Sequence, residues 1–123
     1  MKMYEVLALQ DFCVLTQDKK LPIKTTYKIS RLNRRVEEEL QFYQKEFMRI
    51  VNEYALKENG ELVYSDDMTS IKIIPGKEEE CSNKIIELKD LDIDIDIVFT
   101  IEELEGLDLT VSQMGSILPL IKD

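Results

Sequence analysis

Between Val36 and Tyr54 the large apolar residues fall at Val36, Leu40, Tyr43, Phe47, Ile50 and Tyr54, in steps of 4, 3, 4, 3 and 4. These are two interleaved seven-residue series, Val36/Tyr43/Ile50 and Leu40/Phe47/Tyr54, which an α-helix lines up as one seam. Phe42, Met48 and Val51 widen the stripe beyond that of a two-stranded coiled coil, while Glu37, Glu38, Glu39, Gln44, Lys45, Glu46 and Arg49 supply the solvated remainder. The helix is expected to begin between Pro22 and Thr26 and to stop near Asn59-Gly60. Some 32 residues at about 1.5 Å each make a rod of roughly 48 Å. That is longer than a small domain is wide, so something must cover the seam. The candidates are a preceding helix folded back, the C-terminal half, or a second copy.

Residues 3–16 are apolar almost all round, and their length and Leu, Ala, Glu and Gln content favour a buried helix. Gln17-Asp18-Lys19-Lys20 is a polar connection, and Pro22 suits the first helical position of the next element. Beyond Gly60 the pattern changes. Leu62-Val63-Tyr64 and Ser70-Ile71-Lys72-Ile73-Ile74 flank a polar turn and predict a hairpin. A helix is expected over residues 77–88, with Cys81, Ile85 and Leu88 inward. Thr100-Ile-Glu-Glu103 and Thr110-Val-Ser-Gln113 are capping-box sequences, each opening a short helix. The expected fold class is α+β and helix-dominated: a long N-terminal helical hairpin, a small β-hairpin region and short C-terminal helices. With 123 residues this is read as one domain, residues 1–60 forming the hairpin and 61–123 an acidic α+β part.

Charge divides along the same line. Residues 1–57 carry 11 Lys/Arg against 8 Asp/Glu, whereas residues 58–123 carry 5 against 17, within a total of −9. An acidic chain gains little from phosphate contacts, so nucleic-acid binding is disfavoured. Histidine is absent, which removes the commonest general base and every Ser-His or Cys-His pair. The four glycines form no phosphate-cradling loop. A non-enzyme with no cofactor, no metal and no small-molecule substrate is expected. Cys13 and Cys81 lack CxxC spacing and fit two reduced thiols of a cytosolic protein, though a disulfide between them stays open. No run approaches the roughly 20 apolar residues of a membrane span.

Two charged constellations stand out as partner-binding candidates beside the aromatic residues Tyr43, Phe47 and Tyr54. Asp92, Asp94 and Asp96 alternate with isoleucines, the pattern of a strand with one buried and one solvated face. A calcium loop is disfavoured because Ile97 stands where glycine is needed. The aspartates act either as charges that keep an exposed strand from pairing or as a contact surface for a basic partner. Lys24, Lys28, Arg31 and Arg35, spaced 4, 3 and 4, share one helical face. That face is solvated, pairs with the acidic half, or binds a partner.

The N-terminal apolar helix, Leu21-Pro-Ile-Lys-Thr-Thr-Tyr-Lys-Ile-Ser-Arg31, Val36-Glu-Glu-Glu-Leu40, Tyr54-Ala-Leu-Lys-Glu-Asn-Gly60 and Glu102-Glu-Leu-Glu-Gly-Leu-Asp-Leu-Thr-Val111 leading to Leu118-Pro-Leu-Ile121 together resemble a group of small proteins encoded by phages and prophages of Gram-positive bacteria. The resemblance implies a phage origin and a bacterial cytoplasm, and it carries no catalytic residues. The expected function is a protein–protein interaction module that self-associates through its long helix or docks a host or virion protein. The alternatives are an acidic inhibitor of a host protein, acting in anti-defence or as a nucleic-acid mimic, and an accessory in virion or tail assembly.

Overall fold

The computed structural model describes residues 1–122 and contains four α-helices. They are α1 (Met3–Thr16), α2 (Ile23–Tyr54), α3 (Glu78–Lys89) and α4 (Val111–Ile117). Strands β1 (Lys57–Glu58) and β2 (Glu61–Leu62) form a two-stranded antiparallel sheet. The expected α+β, helix-dominated class, with a long N-terminal helix pair and short C-terminal helices, is what the chain adopts. Residues 36–54 lie within one unbroken 32-residue helix. The chain forms two compact units, Met1–Gln41 with the chain from Asp92 onward, and Phe42–Leu91.

In the first unit α1 buries Met3, Val6, Leu9, Phe12 and Thr16. Its start is tied down by the Lys2 N–H donating to Glu5 Oε1 at 2.8 Å, and by the terminal amine donating to the Ile93 carbonyl at 3.0 Å. At its other end the Thr16 hydroxyl donates to the Phe12 carbonyl at 3.0 Å, so this buried polar group is satisfied inside its own helix. Phe12 meets Phe99 edge to face, ring centroids 6.3 Å apart. Leu32, Val36 and Ile117 are buried with them, completing a core drawn from α1, the first part of α2, residue 99 and α4. Thr110 and Gln113 cap α4 reciprocally, as expected. Thr100 and Glu103 make the same exchange, but only a 3₁₀ turn, Glu102–Leu104, follows it.

The segment expected to be a strand, residues 92–97, is extended without joining a ladder. Its aspartates are exposed, Ile93 and Ile95 are half-buried and Ile97 is buried, so the alternation correctly marks its two faces. Among the described residues its backbone pairing is one antiparallel bridge, Lys2 to Asp92, where the Ile93 N–H donates to the Met1 carbonyl at 2.7 Å. Further along, side chains stand in for a neighbouring strand. Arg35 Nη2 donates to the Asp94 carbonyl at 3.2 Å and Lys28 Nζ to the Val98 carbonyl at 3.0 Å. Alternation fixes which side chains are buried; it does not supply a partner.

In the second unit α2 ends at Tyr54, five residues before the expected stop at Asn59-Gly60. That dipeptide instead makes the turn between β1 and β2, with Asn59 at φ 52° and Gly60 at φ 78°. Two successive left-handed residues define a type I′ hairpin turn, which matches the twist of its strands. The expected hairpin is thus a three-segment meander. It is closed by a ring of backbone bonds: Leu56 N–H to Lys72 O at 2.8 Å, Lys72 N–H to Val63 O at 2.8 Å, and Val63 N–H to Leu56 O at 3.1 Å. Helix α3 opens on Glu78, Glu79 and Glu80 and ends on Lys89, which complements its dipole. Ile50, Tyr54, Cys81 and Leu88 form the buried cluster of this unit, with Tyr43, Phe47, Ile73 and Ile85 packed against it.

The glycines give a stability test of opposite signs. Gly60→Ala should cost about 1 kcal/mol, because a Cβ is strained at φ 78° although nothing crowds it. Gly115→Ala, in helix α4 where an added Cβ also meets open space, should stabilise by roughly 0.5–1 kcal/mol. Urea midpoints of the two variants should fall on opposite sides of the parent.

Candidate interaction surfaces

The basic residues of α2 do not act as one stripe. Lys24 lines a hollow of about 530 Å³ with Thr100, Glu102, Glu103 and Glu105. Lys28 is committed internally: Nζ lies 2.7 Å from Glu103 Oε2, bonds the Val98 carbonyl, and stands 5.9 Å from the centroid of the Phe99 ring. Arg35 pairs with Glu39 one turn on and reaches the Asp94 carbonyl. Arg31 lies over the Tyr27 ring at 5.9 Å and has no carboxylate within ion-pair distance among the described residues. Arg34 is likewise unneutralised, and with Tyr27, Arg31, Arg35, Glu38 and Asp96 it lines an open groove of about 600 Å³. Arg34 and Tyr27 were not among the expected site residues. The 4, 3, 4 spacing of Tyr27, Arg31, Arg34 and Glu38 is the signal that finds them.

The Lys28–Glu103 pair gives a pH dependence. The hydrogen bond from Lys28, and then that from the Thr100 N–H, hold the Glu103 carboxyl below its ordinary value of 4.5. A depressed folded-state value means that the unfolded chain takes up the proton first as the pH falls. The contribution is therefore complete above the ordinary value and is lost on acidification through the folded one. Glu103→Gln should lower stability near pH 7 and flatten its decline as the pH falls through and below the ordinary carboxylate range. Urea midpoints measured across that range check this, and parallel curves for parent and variant would contradict it.

The aspartates are also divided. Asp92 lies 3.0 Å from Lys2 Nζ, Asp94 offers its carbonyl to Arg35, and Asp96 sits in the arginine groove. Each therefore has a cation or cationic groove close by.

Among the aromatic candidates, Tyr43 and Phe47 stack at 5.8 Å and 29°, while Tyr54 is buried. Burial raises the Tyr43 hydroxyl pKa; burial and then the charges of Glu53 and Glu80 raise that of Tyr54, so both stay neutral near pH 7. Tyr43 and Phe47 are half-buried, and of the three Phe47 lines the groove of this unit. That groove, of about 610 Å³, is also walled by Val51 of α2, Tyr64, Ile71 and Ile73 of the meander, and Cys81 and Ile85 of α3. The charged residue on this lining is Glu78. This groove was not legible beforehand, because Ile71, Ile73, Cys81 and Ile85 each follow the pattern of ordinary core.

Both cysteines are free thiols. Burial pushes the Cys13 thiol up to about 11 and also raises that of Cys81, which makes each a poor nucleophile. Among the described residues no group of three or more His, Cys, Asp or Glu could hold a metal ion, and no helix is long and apolar enough to cross a membrane. Comparison with protein-family models, with curated proteins and with solved structures returned no match.

Proposed function

We propose that the chain is a non-enzymatic protein–protein interaction module that receives an apolar segment of another protein in the groove between α2, the meander and α3. The observation carrying this is the open lining of Phe47, Tyr64, Ile71, Ile73 and Ile85. Tyr64 is 43% exposed there, although large aromatic residues gain most from being covered. Tyrosine is also among the residues that dominate interface energies. The groove is flanked by helices, and Glu78 of the first turn of α3 is the charged residue on its lining. Its occupant is therefore an amphipathic segment with apolar anchors at i and i+3 or i+4 and a Lys or Arg beside them. The resemblance to phage-encoded proteins supplies the proposed setting, a bacterial cytoplasm in which the segment belongs to a host or virion protein.

Peptide display against the full chain tests this. The enriched peptides should share apolar anchors at helical spacing next to a basic residue, and should lose binding to a Ser82→Arg variant that fills the groove. Peptides that bind this variant as well as the parent would refute the assignment. The acidic-inhibitor alternative draws less support, since an imitation of phosphate needs carboxylates clear of cations and Asp92 is paired with Lys2.

A further inference from the structure

We infer that the arginine groove of the first unit is a separate docking site, for a short acidic segment of a protein partner. This does not rest on the apolar groove. Of the four cations along this part of α2, Lys28 and Arg35 are used up by Glu103, by Glu39 and by backbone carbonyls. Arg31 and Arg34, one turn apart and both exposed, have no such acidic partner among the described residues. The face of Tyr27 holds the Arg31 guanidinium and leaves its N–H fork free for a carboxylate. Across the groove lie Asp96 and Ile97, whose backbone N–H and C=O groups make no bond to any described residue. A segment lying there finds hydrogen-bonding groups on one wall and two guanidinium forks on the other.

The same lining argues against a phosphate backbone as occupant. Glu38 and Asp96 are part of the groove, and Glu37, Glu38 and Glu39 continue directly along the helix. A polyanion tracking along α2 meets like charge within a turn, whereas two carboxylates can stop at Arg31 and Arg34. Neutralising only two positive charges also gives a shallow dependence on salt rather than the steep one of nucleic-acid binders.

Fluorescence anisotropy of a labelled Glu-rich peptide against the full chain at low salt is the test, with a single-stranded oligonucleotide run in parallel. Arg31→Ala combined with Arg34→Ala should weaken peptide binding at least about tenfold. Circular dichroism should stay unchanged, because both side chains are exposed. Lys19→Ala with Lys20→Ala makes the same change in net charge elsewhere and should alter binding less than about twofold. The inference is overturned if the peptide fails to bind, if both double variants weaken it equally, or if the oligonucleotide binds more tightly with the same arginine dependence.

Discussion

Phe99→Ala should destabilise the chain by about 3–5 kcal/mol, a large part of the total for a protein of this size. The side chain has no exposed surface, and it meets Phe12 edge to face. Its backbone is tied at both groups, with N–H to Leu120 O at 2.8 Å and C=O accepting from Lys122 N–H at 2.8 Å. Because those bonds hold the main chain in place, the surroundings cannot collapse well into the space the ring vacates, which puts the cost toward the upper end. The cation Lys28 also loses the ring it stands over. Val98→Ala, one residue away and 45% exposed, should cost less than about 0.5 kcal/mol. Urea unfolding of the two variants gives the comparison. A loss below about 1 kcal/mol for Phe99→Ala would mean that the 92–99 segment is not fixed to its unit as described.

The second large effect concerns binding, not folding. Tyr64→Ala should weaken a peptide selected on the apolar groove by about 30-fold or more, the loss typical of a central aromatic anchor. Tyr64 is partly exposed in the free protein, so its removal should leave the urea midpoint nearly unchanged. Ser82, exposed on α3 and part of the same lining, offers the complementary change. Arginine there adds a long side chain to the groove without deleting any core atom, and should abolish binding. The double change at Arg31 and Arg34 should leave this peptide unaffected. Titration calorimetry on the three variants separates these outcomes. If Tyr64→Ala binds like the parent, the open aromatic lining is not a contact surface.

How much of this could be read beforehand varied with the range of the interaction responsible. Helix α2 was legible because its seam repeats at helical spacing, and Thr110 with Gln113 was legible because both halves of a capping box lie within one turn. The helix end was misplaced because Asn59-Gly60 serves equally as a helix stop and as a hairpin turn. The choice is made by Leu56 and Ala55 pairing with residues 72 and 73, which no local pattern contains. Residues 92–97 showed their faces correctly. Their neighbours, Met1 and Lys2 at the far end of the chain and the side chains of α2, were invisible. The candidate surfaces follow the same rule. Helical spacing put Lys24, Lys28, Arg31 and Arg35 together, but only the pairing of Lys28 with Glu103, 75 residues away, shows which cations are spent.

The most direct test of the docking groove is methyl NMR of isoleucine-labelled protein titrated with a display-selected peptide. Ile71, Ile73 and Ile85 line the groove, whereas Ile93, Ile97 and Ile117 belong to the other unit. Shifts concentrated on the first three, and absent from the Ser82→Arg variant, are the expected result. Shifts centred on Ile93, Ile97 or Ile117, with the groove methyls unmoved, would contradict it.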